Sequence, residues 1–204
     1  MSTAAAEGVP HNAGPEILEA AIQAFDELGY DNASISHIAE LAGTSKSLVT
    51  YYFPSKRAMA AAVIDLAYPG GVFMGTPRAV ADPLEAIVWV AQHVTTNVLH
   101  NALARVAMRL VDQEICGVQR SAGKFIGWYA RLTDYLEEAR LAGMIPRTVD
   151  SATEARYILC GVVGLIDLAV TTGSYLLLVD DAIQITRDRI EALSRVPRPD
   201  SSPS

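Results

Sequence analysis

Apolar residues return at helical spacing along nearly the whole 204-residue chain, and apolar–polar alternation nowhere lasts long enough for a strand. That property restricts the chain to packed helices. Residues 15–29 place Ile17, Ala21, Phe25 and Leu28 on one face, with Pro15 as a starter and Gly29 as a stop. Ser34 caps a short helix holding Ile35, Ile38 and Leu41, which ends at Ala42-Gly43. Ser45 caps the next, running to about Tyr52, and Pro54-Ser55 restart a helix that reaches about Tyr68. Asp82-Pro83 open another as cap and first residue, with Leu84, Ile87, Val88 and Ala91 apolar. Further helices fit 101–115, 122–142, 151–173 and 178–194. The expected fold is all-α, with about nine helices.

Half of the residues are hydrophobic and only 19% are charged, so a packed core is expected rather than disorder. Cys116 and Cys160 stand in no CxxC or His-rich context, which favours a reducing cytoplasm over a disulfide framework. The start "MSTAAAEGVPHNAGPE" lacks the charged and apolar regions of a secretory signal. The segment from Tyr157 to Val179 is long and apolar enough to span a membrane. Asp167 in its middle, the Thr171-Thr172-Gly173-Ser174 break and the absence of flanking Lys/Arg asymmetry favour a protein-buried helix and no membrane. His11, His37, His93 and His100 form no metal-ligand set, and no GxSxG, P-loop or GxGxxG is present. No metal, no cofactor and no enzymatic activity are expected.

The first 45 residues contain no Lys or Arg, and the formal net charge is -7. The first cations fall in "GTSKSLVTYYFPSK", residues 43–56. Two short helices joined by a tight Ala42-Gly43-Thr44 turn, behind a longer supporting helix, match helix-turn-helix geometry. In the second short helix Val49 and Phe53 point inward, toward Phe25 and Ile38. Lys46, Ser47, Thr50 and Tyr51 then look outward, with Leu48 and Tyr52 at the flanks. A cation, hydroxyls and aromatic rings suit phosphate and base-edge contacts, Leu48 suits a thymine methyl, and Lys56 suits a backbone phosphate. The same pattern also fits an ordinary helical corner whose tyrosines shield core.

"ILEAAIQAFDELGYDNASISHIAELAGTSKSLVTYYFPSKRAMAAAVI" (17–64) resembles the DNA-binding domain of TetR-type transcriptional regulators, through "ILxAAxxxFxxxGY", "SIxxIAxxAG" and "SKxxxxxYFPSK" in fixed register. The resemblance implies a homodimer whose paired recognition helices enter successive major grooves of a pseudo-palindromic double-stranded DNA operator. It places DNA-facing positions at Lys46, Ser47, Leu48, Thr50, Tyr51, Tyr52 and Lys56, with Ser34 on a phosphate. It also implies a repressor released by a small-molecule effector. The chain departs from the family at Thr50 (usually Tyr or Phe) and at Ser47 (often Gly). It also lacks the Arg or Lys common near the start of the first helix. Residues 1–57 carry seven carboxylates against Lys46, Lys56 and Arg57, which implies fewer phosphate contacts. A helical ligand-binding dimer that kept the scaffold but lost useful DNA affinity is the alternative.

The expected organisation is a flexible 1–14, a helix-turn-helix domain 15–54, a connecting helix 55–68, a ligand-binding and dimerisation bundle 69–195 and a disordered tail 196–204, with a Gly/Pro-rich linker over 69–82. In the bundle, Trp89, Met108, Val111, Phe125 and Trp128 are large residues on apolar faces, and Tyr68, Gln92 and Thr95 add polar groups. Together they suit an effector pocket, although each also suits plain core. "ARVAMRLVDQE" and "KFIGWYARLTDYLEEARLAGMI" resemble γ-butyrolactone receptors of the TetR family, which implies that Trp128 lies in a lactone-type pocket. Helices 151–173 and 178–194 are the expected dimer surface, with Gly161 and Gly164 allowing close approach and Leu165 and Leu168 supplying apolar area. The glycines equally suit packing within one subunit. Asp167, if buried there, needs a polar partner.

Overall fold

The computed structural model describes residues 13–69, 80–112 and 118–194, with side chains described except at 112 and 118–126. Nine helices and no strand occur among them. They are α1 (Ala13–Asn32), α2 (Ile35–Leu41), α3 (Lys46–Tyr52), α4 (Lys56–Ala67), α5 (Pro83–His100), α6 (Ala102–Asp112), α7 (Val118–Leu141), α8 (Ser151–Thr172) and α9 (Leu178–Ser194). Residues 1–12 of the expected flexible N-terminus, most of the linker and the tail lie outside the described residues, while Ala13 and Gly14 open α1.

The helix limits follow local chemistry. Ser34 and Ser45 adopt extended backbones, and their hydroxyls accept from the backbone N–H of His37 and Leu48. The Asp82 carboxylate accepts from Leu84 and Glu85, with Pro83 in the first turn. Gly43, at φ +61°, allows the reversal between α2 and α3. Gly29 leaves helical geometry at φ 75°, ψ 163°, yet a further short turn carries α1 to Asn32. Leu28 is 42% exposed, and does not share the core with Ile17, Ala21 and Phe25.

Two compact units form. One gathers residues 13–66 with 106–112, so the second half of α6 groups with the front helices. There α1, α2 and α3 pack together around Ile17, Phe25, Ile38 and Val49, all fully buried. The Arg109 guanidinium is hydrogen-bonded to the Asp26 carboxylate at 2.5 Å, fastening α6 to α1.

The other unit gathers 67–105 with 118–194. α5 packs on α9, α7 and α8, while α8 packs on α7 and α9. Leu136, Ile145, Ile87 and Ile166 are among its fully buried side chains. Glu154 on α8 pairs with Arg189 on α9, and Arg189 also lies over the Tyr157 ring. At the α7–α8 corner Arg140 donates to both carboxylate oxygens of Glu137, and Ser151 donates to Oε2 at 3.1 Å. α8 is long and apolar enough to cross a membrane, but buried residues such as Ile158, Val162 and Ile166 form a stripe within the bundle. Asp167 lies on its exposed side, in water rather than against a polar partner in the core.

The Arg140 hydrogen bonds hold the Glu137 carboxyl below its usual range, aided by Ser151 and opposed by some desolvation. The Thr153 side chain and backbone do the same for Asp150, the cap of α8. A carboxyl lowered in the folded state stabilises above its unfolded value, and that contribution is lost as pH falls through the folded value. Acid titration of thermal stability should therefore show a loss beginning below about pH 4. The double variant Glu137→Gln, Asp150→Asn should be less stable at pH 7, with a flatter acid limb.

Candidate nucleic-acid interface and effector region

α3 is seven residues long and is fixed on one side only. Val49 is fully buried beneath it, and the Tyr52 ring lies against α1 at Gly14, where an added Cβ would come within 3.3 Å of the ring. Tyr51 meets Tyr52 edge-on, with centroids 5.4 Å apart. Opposite Val49, Lys46, Ser47, Thr50 and Tyr51 are all exposed, Tyr51 to 76%, while Leu48 and Tyr52 are half-buried at the flanks. Ser34 is exposed, its hydroxyl already accepting the His37 N–H.

Two side chains depart from expectation. Phe53 is half-buried rather than sealed, because it is the C-cap of α3 in an extended conformation (φ −131°, ψ 101°) and no longer follows the face of Val49. Lys56 donates from Nζ to the carbonyls of Tyr30 (2.6 Å) and Asp31 (3.1 Å), and its ammonium sits 4.5 Å from the Tyr30 ring centroid. Two of its three N–H groups thus close the C-terminal end of α1, where the partial negative charge of the helix collects. Nothing local in the sequence showed this link across 25–26 residues.

The expected effector residues divide. Met108 and Val111 are buried within the front unit, and Tyr68 is half-buried in the other. Phe125 lies outside the described side chains. Trp89 is half-buried and stacked on His93 at 4.4 Å, and Gln92 is exposed. The Thr95 hydroxyl is buried but spent on the Ala91 and Gln92 carbonyls. Trp128 does border an apolar cavity, with Ile87, Val94, Leu132, Ile158 and Val162. Its volume is about 10 Å³, hardly room for one water. The lining face of α5 carries Ile87, Val90, Ala91 and Val94; Trp89 and Gln92 are turned about 100° per residue away from it.

On α8 the glycines differ. Gly161 packs within the chain, since a Cβ there would come within 3.1 Å of Ile185 Cδ1 on α9. It therefore serves the internal packing that the sequence equally allowed. Gly164 faces open space, Leu165 is half-buried and Leu168 is 60% exposed. Leu176 and Leu177 continue this apolar surface at the α8–α9 turn, and with Leu165 and Leu168 they line an open groove.

A front unit in which α1, α2 and α3 pack together and α3 shows one face outward, joined in one chain to a second helical unit, defines a helix-turn-helix protein with a second helical domain. Residues 17–63 match the family described as "Bacterial regulatory proteins, tetR family", so the chain carries the TetR-type domain that its sequence resembles. The A-factor receptor protein of Streptomyces griseus is 29% identical over 150 residues, 73% of this chain. That stretch spans about half (52%) of the receptor's own length. The fold is shared with TylP, a TetR regulator from Streptomyces fradiae, at a TM-score of 0.70, 22% identity and coverage of 91% and 87% of the two chains. It is shared too with an ArpA-like γ-butyrolactone receptor, at 0.62 and 19%, covering 86% and 97%. The likeness to butyrolactone receptors read from the sequence thus holds.

Removing the Lys56 ammonium should loosen the end of α1. Lys56→Met should lose about 2 kcal/mol in denaturant unfolding, the scale of charge-assisted hydrogen bonds plus a cation–π contact. Amide exchange at residues 30–33 should quicken, and Lys56→Arg should restore part of the loss.

Proposed function

We propose that the chain is a cytoplasmic, homodimeric, ligand-responsive transcriptional repressor that binds a palindromic DNA operator and is released by a small, mostly apolar effector. One observation carries this reading: Lys46, Ser47, Thr50 and Tyr51 stand exposed on one face of α3 while Val49 seals the other. Lys46 supplies a phosphate or guanine contact, Tyr51 a hydroxyl and ring edge, and exposed Ser34 lies within the same unit for a phosphate.

A dimer is favoured by the apolar surface of Leu168, Leu176 and Leu177, which is larger than scattered single leucines, with Gly164 leaving room for close approach. The effector would enter at the Trp128 cavity. At about 10 Å³ that cavity must open, so binding selects a different packing of α5, α7 and α8. The names of the relatives favour a butyrolactone-like signal. A hundredfold preference for the DNA-free arrangement needs about 2.7 kcal/mol of differential binding.

The rival is a ligand-binding dimer with weak DNA affinity, favoured by seven carboxylates against three cations in residues 1–57 and by the engagement of Lys56. Titration of duplex DNA from the protein's own upstream region at several salt concentrations separates the two. The repressor reading requires sequence-selective binding with a negative salt slope. Lys46→Ala and Tyr51→Ala should each weaken it about tenfold or more with an unchanged circular dichroism spectrum, the loss expected for a groove contact of 1–3 kcal/mol. Unchanged affinity in both variants would remove the assignment of this face. A Leu168→Glu, Leu176→Glu double variant should sediment as a monomer.

A further inference from the structure

Thr50 has its hydroxyl turned back onto its own helix. Oγ1 donates to the carbonyls of Lys46 at 3.1 Å and Ser47 at 3.0 Å, the usual return bond of a helical threonine. A hydroxyl has one proton, and here it is shared between those two carbonyls. Phosphate oxygens, purine N7, guanine O6 and thymine O4 are all acceptors, so none can bond this oxygen without that proton; only the adenine N6 and cytosine N4 amino groups could donate to its remaining lone pairs. With Oγ1 against the backbone, the methyl is the substituent left to project from an exposed position. Lys46, one turn earlier, shares this face, and Tyr51 adjoins it. The nearby Ser47 hydroxyl is 3.1 Å from Ser45 Oγ, itself the cap of α3.

We infer that Thr50 reads DNA through its methyl group and sets a preference for thymine at one position of each half-site. Among the base edges of the major groove only thymine offers a methyl, so an apolar projection is matched there and nowhere else. The inference rests on the proposal that α3 is the groove reader. It reverses the role that a hydroxyl at this position would suggest.

The test uses the full-length protein. Binding sites are selected from a random duplex library, and each thymine of the selected site is then replaced in turn by deoxyuridine, which lacks only the methyl. Thr50→Val keeps the methyl and loses the hydroxyl; Thr50→Ser does the reverse. Thr50→Val should bind the selected duplex within about twofold of wild type, while Thr50→Ser should lose roughly fourfold per half-site, the effect of one methyl-sized contact. One deoxyuridine position should cost wild type the same factor and cost Thr50→Ser nothing. A larger loss in Thr50→Val than in Thr50→Ser overturns the inference, as does the absence of any sensitive thymine. If no duplex is enriched at all, the repressor reading fails first; enrichment with insensitivity at Thr50 sinks this inference alone.

Discussion

Burial of Val49 beneath a seven-residue helix is the constraint on which the front of the molecule depends. A helix that short does not persist by itself in water, because nucleation costs more than two turns return. α3 exists because Val49 is removed from water, worth about 2 kcal/mol for such a side chain, and because Ser45 closes the first turn. Tyr52 against Gly14 adds a second anchor on α1. Once Val49 is fixed inward, 100° per residue leaves Lys46, Ser47, Thr50 and Tyr51 no choice but to face out. Lys56 then ties the start of α4 to the end of α1, so both flanks of α3 are held by something other than α3. A face made this way is set before any ligand arrives.

In the bundle the governing fact is that α8 carries apolar residues on more than the side it buries. One side is consumed by α7, α9 and α5. The other leaves Tyr157 and Leu168 exposed, and Leu176 and Leu177 extend the same surface past the turn. Exposed leucines grouped in this way, beside the polar Asp167, are the physical argument for the proposed second subunit. Gly161 and Gly164 look alike in sequence but take different roles, one receiving Ile185 and the other open.

Much of this was legible in the sequence because it is local. Caps at Ser34, Ser45 and Asp82, the reversal at Gly43 and the spacing of apolar residues place the helices to within a few residues. The outward side of α3 follows from the same periodicity. What escaped was set by distant residues. Phe53 comes away from the core because the chain turns extended there, and the Lys56 ammonium meets carbonyls 25 and 26 residues back. The choice of Trp128 as a cavity residue over Trp89 and Gln92 depends on which side of α5 meets α7 and α8. Periodicity gives a face but not its partner, so a list of large residues on apolar faces mixes cavity wall, stacked surface and plain core.

Charge and geometry at α3 bear on each other. With Lys46 on the outer face, Lys56 engaged and seven carboxylates in residues 1–57, the front unit would release few counterions from a duplex. Binding that is poor in nonspecific attraction must draw more of its free energy from contacts that depend on sequence. Such a protein would bind bulk DNA weakly and a matching site selectively, because the contacts that remain are short-ranged and fail at the wrong base. The acidic front, which at first argues against a DNA-binding role, is then a means of keeping the proposed reader off sites that it does not match.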